Sequence, residues 1–280
     1  MRRKRGARHT SALLALIVAL TVVVALGVAT DGSSDLALSA SPPTFTDSPP
    51  AGWQLAFSSD FSGTALNPRV WGECYPWANA SLGCTNFGNE EKEWYQESQI
   101  SVRNGILDLI ASPQLAVGYS QSGKPEQYEC TSGMVTTFPG FDFTYGFVQV
   151  IARLPFGKDL WPAFWLGPQN GQWPPEIDIL EHWDTQKTSQ ATLHPVRGPL
   201  QVAVAGTPDA NKGWHTFSLS WTPTRVTWWY DGTQVLTTTK AVPRLAMFLI
   251  LNLAVDEHGP GGCNGTLSIK SVKVWTPQGK

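Results

Sequence analysis

Beyond residue 52, apolar and polar side chains alternate in short runs separated by turn signals. Trp53-Gln54-Leu55-Ala56-Phe57 reads as a first strand. Ile100-Ser101-Val102-Arg103 and Ile106-Leu107-Asp108-Leu109-Ile110 flank Asn104-Gly105. Asn-Gly tolerates the positive φ angles of a type I′ turn, so this is a hairpin. Asp231-Gly232, between the runs 226–230 and 233–236, predicts a second one. Residues 145–154 alternate over ten positions and predict a long half-buried strand. Val148, Val150, Ala152 and Leu154 form its core face; Phe147, Gln149, Ile151 and Arg153 form the other. Residues 214–221 alternate in the same way, and residues 267–275 read as a final strand. Residues 245–255 are almost wholly apolar, as expected of a strand buried on both faces. Its polar exception, Asn252, must be hydrogen-bonded there, to backbone or to a ligand. No segment carries an amphipathic helix longer than two turns, so the pattern predicts an all-β sandwich.

One apolar stretch carries acids. Trp173-Pro174-Pro175-Glu176-Ile177-Asp178-Ile179-Leu180-Glu181-His182-Trp183 holds three carboxylates. Glu176 and Asp178 share a face of a strand, and strict alternation would put Leu180 next on it. A β-bulge of one extra residue would return Glu181 to that face and leave His182 on the other. Three carboxylates in a walled cleft repel one another, and at least one should keep its proton near neutral pH. A carboxylic acid beside a carboxylate is the pair that glycoside hydrolysis requires. The alternative is a surface strand with solvated charges; Ile177, Ile179 and Leu180 count against it, because they need a core behind them.

The 280 residues suffice for one large β domain or two small ones. Arg2, Arg3, Lys4, Arg5 and Arg8 precede an uncharged run from Thr10 to Thr30. Residues 1–30 therefore read as a signal peptide or a membrane anchor, and residues 31–51, rich in Ser, Pro, Ala and Asp, as a flexible linker. Residues 52–280 are left for the functional domain. The chain is expected to be secreted, or membrane-anchored if the N-terminal segment is uncleaved. After the leader, 15 basic residues face 22 acidic ones, a net of −7. That excludes a nucleic-acid partner and suits a neutral polymer. The 13 Trp residues are many, and some should line a binding surface. Cys74, Cys84, Cys130 and Cys263 match no zinc spacing. Cys74 and Cys84 bracket a short loop and form the expected disulfide; Cys130 and Cys263 then pair by elimination.

Glu-Ile-Asp-Ile-Leu-Glu at 176–181 resembles the signature of glycoside hydrolase family 16 in its bulged, laminarinase-like form. Gly157-Lys158-Asp159-Leu160-Trp161-Pro162-Ala163-Phe164-Trp165-Leu166 resembles the block that precedes that strand. The resemblance runs from about Trp53 to Trp275. It implies a β-jelly-roll sandwich with a concave substrate cleft and a monomer without cofactors. The implied substrate is a β-glucan polysaccharide, first of all β-1,3-glucan, cleaved internally with retention. Glu176 would be the nucleophile, Glu181 the general acid/base and Asp178 the tuner of Glu176. Trp161 and Trp165 match positions that stack sugar rings, and His194 matches a residue that reaches the cleft. Asn89-Glu90-Glu91-Lys92-Glu93-Trp94-Tyr95 resembles a segment bordering the cleft, so Asn89 joins Asn252 as a substrate-binding candidate. Glu91 and Tyr95 match that segment, whereas Glu90, Lys92 and Glu93 depart from it. Met134 stands where the family usually has Arg or Lys. Lys270 stands where relatives place an acidic calcium ligand, so no bound metal is expected. Activity on another β-glycan, transglycosylation, or glycan binding without catalysis are the alternatives.

Overall fold

The computed structural model describes residues 47–78, 84–183, 188–207, 209–259 and 261–278. The expected leader and all but the end of the expected linker lie outside them. In chain order the first strands are β1 (Trp53–Ser59), β2 (Trp94–Tyr95), β3 (Ile100–Arg103), β4 (Ile106–Ala111), β5 (Ala116–Tyr119) and β6 (Pro125–Tyr128). There follow β7 (Thr131–Ser132), β8 (Met134–Thr136), β9 (Gly146–Arg153), β10 (Leu160–Pro168), β11 (Glu176–Trp183) and β12 (Thr188–His194). The last are β13 (Gln201–Gly206), β14 (His215–Trp221), β15 (Val226–Tyr230), β16 (Thr233–Thr238), β17 (Met247–Val255) and β18 (Gly265–Pro277). Among the described residues, one 3-10 turn, Glu97–Gln99, is the only helix, and no helix is long and apolar enough to cross a membrane.

Two sheets form the sandwich. One has the order β16-β15-β14-β9-β18-β4-β3, with β1 also paired to β18; the other has the order β13-β12-β11-β10-β17-β8. Both expected hairpins form on positive φ angles: Asn104 and Gly105 at 54° and 73°, Asp231 and Gly232 at 47° and 76°. The inward faces meet in one core. Val148, Val150 and Ala152 of β9 pack in it with Leu249, Leu251 and Leu253 of β17 and with Ile177, Ile179 and Leu180 of β11. Each such side chain removed from water contributes roughly 1.5–3 kcal/mol, so β11 cannot slip by one residue without exposing its apolar set. Phe147, on the outer face of β9, is buried too, between Trp229 and Trp275.

Strand β17 is buried along its whole length, as its apolar run predicted. Its second face is covered by a smaller cluster of Tyr75, Cys84, Tyr95, Met134, Trp165, Phe248 and Ile250. Met134, at the position of a family Arg or Lys, is fully buried there. The disulfides Cys74–Cys84 and Cys130–Cys263 both form. The hairpin β5–β6 was not legible in the pattern; Gly118 permits it, because a Cβ there would run into the Trp94 ring.

Candidate active site

Strand β11 lies between β10 and β12, and the register on both sides is broken at one place. Against β12, Glu176 pairs with His194 and Asp178 with Thr192, but the next pair is Glu181 with Gln190; against β10, Asp178 pairs with Trp165 and the next pair is Leu180 with Phe164, then Glu181 with Ala163. Ile179 and Leu180 thus stand together against Ala191, and both point into the core. This is the expected bulge, and it returns Glu181 to the face of Glu176 and Asp178. A bulge leaves ladder carbonyls without partners. Side chains of β15 reach through the core to supply them. Trp228 Nε1 donates to the Asp178 carbonyl at 2.8 Å, and Tyr230 Oη donates to the carbonyls of Ile179 (3.1 Å) and Gln190 (2.9 Å). Neither residue was singled out from the sequence. The available signal was that alternation sends Trp228 and Tyr230 inward, where an indole N–H or a phenol must find a partner.

The three carboxyls have distinct surroundings. Glu176 accepts a hydrogen bond from Trp173 Nε1 at 3.1 Å, and its Oε1 lies 3.3 Å from His194 Nε2. Asp178 is 3 % exposed, with Oδ2 at 3.1 Å from the same nitrogen. The two carboxyls thus face one imidazole nitrogen, and two anions held so close repel unless one keeps a proton. Glu181 accepts from Trp161 Nε1 at 3.2 Å, and from Gln190 Nε2 and Thr192 Oγ1, each at 3.4 Å. Burial, then the neighbouring Asp178 charge, pushes Glu176 up to about 9, against the opposing influence of His194. Burial and the Glu181 charge raise Asp178 well above the ordinary aspartate range. Burial also raises Glu181, while His194 and the three side-chain donors act in the other direction. The cluster therefore holds protons at neutral pH that exposed carboxylates would have lost. Glu176, Asp178 and His194 are also the described residues whose donor atoms, within 4.8 Å of one another, could hold a metal ion. Lys270, which motivated the expectation of no metal, lies far from this chemistry, 5.8 Å above the Trp214 ring.

The candidate binding residues divide. His194 meets two carboxyls, its ring against that of Trp173. Trp161 is half-buried beside Glu181. Trp165, expected to stack on a sugar, is only 8 % exposed, and its Nε1 donates to Asn252 Oδ1 at 2.9 Å. Asn252 was expected to bond to backbone or to a ligand; it is 2 % exposed and bonds instead to the side chains of Trp165 and Tyr95. Asn89 is exposed and donates to Glu91 at 2.7 Å. The exposed ring beside Trp165 is Trp77, stacked on Tyr75 within the disulfide loop. Sequence reasoning did not select Tyr75, Trp77, Trp173 or Gln190; their positions depend on loops and register that periodicity does not specify. His182 turns away into a buried contact with Ser189 Oγ.

A carboxyl that keeps its proton, a neighbouring carboxyl within reach of a substrate, and aromatic rings beside them form a site suited to acid-assisted displacement at a sugar. The chain is also similar to known proteins in sequence and in fold. An endo-1,3-1,4-beta-glycanase of Rhizobium meliloti is 30% identical over 78% of this chain and 50% of its own length. A glucan endo-1,3-beta-glucosidase of Cryptopygus antarcticus is 31% identical, over 80% of this chain and 92% of that protein. The chain spans about half the length of the Rhizobium relatives that it matches. Among solved structures, the catalytic domain of a Thermotoga petrophila laminarinase superposes with a TM-score of 0.68 at 28% identity, covering 81% of this chain and 99% of that one. The sequence model of glycosyl hydrolases family 16 matches residues 88–252, which include the bulged strand and all three carboxyls. With that match, and with a jelly-roll sandwich around the bulge, the chain belongs to glycosyl hydrolases family 16.

Proposed function

We propose that this chain is an endo-acting hydrolase of β-1,3-glucan that retains anomeric configuration. The observation that carries the reading is the bulge, because it sets Glu181 on one face with Glu176 and Asp178. Glu176 attacks the anomeric carbon as the glycosidic C–O bond breaks, and Glu181 gives its proton to the leaving oxygen. Water then attacks the glycosyl-enzyme; Glu181 takes the proton from it, and Glu176 leaves as carboxylate. Retention requires the two carboxyls to lie roughly 5–5.5 Å apart. Glu176 must be anionic when it attacks, although its surroundings favour the acid. Attack therefore draws on the ionised fraction of Glu176, which the neighbouring His194 imidazole favours. His194, in contact with both, fixes their geometry.

The aromatic rings offer flat apolar surfaces to the C–H faces of sugars. Trp77 and Trp173, the more exposed rings of the cleft, are the sugar contacts in this reading, beside half-buried Trp161. Mixed-linkage β-1,3-1,4-glucan is a second substrate, favoured by the similarity to the Rhizobium glycanases. Residues 1–30 would direct export, and the two disulfides accord with an oxidising destination. Residues 52–280 would form the catalytic domain.

Release of reducing sugar from laminarin, mixed-linkage glucan, agarose and xyloglucan tests the substrate. Activity confined to agarose or xyloglucan would overturn the β-1,3-glucan assignment. Azide tests the roles. Glu176→Ala with an activated substrate and azide should give glycosyl azide of inverted configuration. Glu181→Ala should form the glycosyl-enzyme, stall, and give the retained azide. One stereochemistry from both variants would remove the role assignment.

A further inference from the structure

A second pair of carboxyls, buried Glu93 and half-buried Glu91, lies behind the cleft, and the proposed chemistry does not use it. Glu93 is fully buried. Its Oε2 accepts the Val255 N–H of β17 at 2.7 Å, and its Oε1 has no donor. Glu91, two residues before it, is its acidic neighbour, and the charge of Glu91 bears on Glu93. Glu91 is already the acceptor for three donors: Tyr95 Oη at 2.9 Å, Tyr75 Oη at 3.4 Å and Asn89 Nδ2 at 2.7 Å. A fully buried carboxylate oxygen without a donor is costly, and a proton on Glu93 removes that cost. Glu91, with three donors, is the anion of the two, and Glu93 is the acid.

The chain of bonds continues to the cleft. Tyr95 Oη accepts from Asn252 Nδ2 at 3.0 Å, and Asn252 Oδ1 accepts from Trp165 Nε1. Trp165 pairs with Asp178 across the β10–β11 ladder. Tyr75, the other phenol on Glu91, carries Trp77 on its ring. We infer that Glu93 is a positioning residue: kept as a neutral acid, it leaves Glu91 the single charge that holds Tyr75, Tyr95 and, through them, the Trp77–Trp165 wall of the cleft.

The titratable groups facing Glu93 are Glu91, Tyr95 and Tyr75, all acids. Neither carboxyl makes an ion pair among the described residues. Beyond Glu91, the rim carries Glu90, Glu126, Glu129 and Glu257 with a single Lys92, and Asp256 is bridged to Glu91 through backbone. Among the described residues no cation is therefore placed to replace the proton, and burial raises Glu93 well above the glutamate range. The sign follows. An unfolded glutamate ionises near 4.3, whereas folded Glu93 keeps its proton. Raising the pH above that value favours the unfolded chain until the folded group itself ionises. Loss of the proton then sets two charges against each other and loosens the wall.

The protonation holds whatever the chain cleaves; only the effect on glycan binding rests on the proposed activity. The test is Glu93→Gln, which supplies a permanent N–H in place of the proton. Three readouts apply to the full chain. The infrared carbonyl band of a dry carboxylic acid at pH 7 should be weaker in Glu93→Gln than in wild type. Its melting temperature should equal that of wild type at pH 4 and exceed it increasingly toward pH 9. On laminarin, KM should stay low at alkaline pH in Glu93→Gln and rise about tenfold in Glu93→Ala, with kcat changed far less, as expected for lost ground-state contacts. An unchanged acid band, a melting difference independent of pH, or failure of Glu93→Gln to fold would each overturn the proton assignment. Band and melting effects without any KM effect would overturn only the link to the wall. If no variant, wild type included, cleaves laminarin, the proposed activity fails, and the first two readouts still decide the proton.

Discussion

At the scale of single residues, the site is an arrangement of buried carboxyls that folding would exclude if stability were the only consideration. Glu176, raised to about 9 by burial and by Asp178, ionises near 4.3 in the unfolded chain. Below that value both states hold the proton, and the group is neutral to stability. Between it and the folded value, unfolding releases a proton, so stability falls as pH rises. Glu176→Gln keeps the shape and removes the titration. The variant should lose nearly all hydrolysis, yet at pH 8 it should melt clearly above wild type, by at most about 5 kcal/mol, at about 1.4 kcal/mol for each pH unit above 4.3. The gain should vanish near pH 4. Thermal melts of both proteins across that range measure it, and a gain that persists at pH 4 would mean a packing effect instead.

At the scale of elements, the bulge is a local fault in β11 that another strand repairs. Ile179 and Leu180 pull two successive side chains into the core, and the backbone beside them is left to Trp228 and Tyr230 of β15. The position of Glu181 thus depends on a phenol from the opposite sheet. Tyr230→Phe removes one hydroxyl and leaves two buried carbonyls short of a donor, at a cost of about 1–3 kcal/mol. Because Glu181 follows directly on this backbone, kcat should fall several-fold while KM moves little. Wild-type kcat and melting temperature together in Tyr230→Phe would show that the bulge stands without β15. The smaller cluster over β17 is the second device of this kind. It places Tyr75 and Cys84 of the disulfide loop against a strand already buried on its first face, and Trp77 stacks on Tyr75.

At the scale of the whole molecule, the two disulfides divide their work. Cys130–Cys263 closes a loop of 133 residues and Cys74–Cys84 one of 10. In the chain-entropy account the long bridge contributes about 5 kcal/mol and the short one about 3. Replacing Cys130 and Cys263 with Ser should therefore lower the melting temperature more. Replacing Cys74 and Cys84 should raise KM on laminarin more, since that loop carries Tyr75 and Trp77. Calorimetry and kinetics on the two double variants check both halves, and the reverse order in either would contradict this division.

Much was legible from the chain alone, for physical reasons. Period-two alternation marks which face of β9 enters the core, and an uninterrupted apolar run marks β17, because a strand has only two faces to bury. Asn-Gly and Asp-Gly marked their hairpins, since few residues accept positive φ. The spacing of Glu176, Asp178 and Glu181 implied a bulge, because no regular strand puts all three on one side. What the chain could not specify was partnership across the fold. That Asn252 is spent on Trp165 and Tyr95, that Trp165 is covered while Trp77 stands open, and that Trp228 and Tyr230 hold the bulge all depend on side chains distant in sequence. So does the proton assigned to Glu93: the sequence displays two glutamates two residues apart, and only burial against Val255 decides that this one remains an acid.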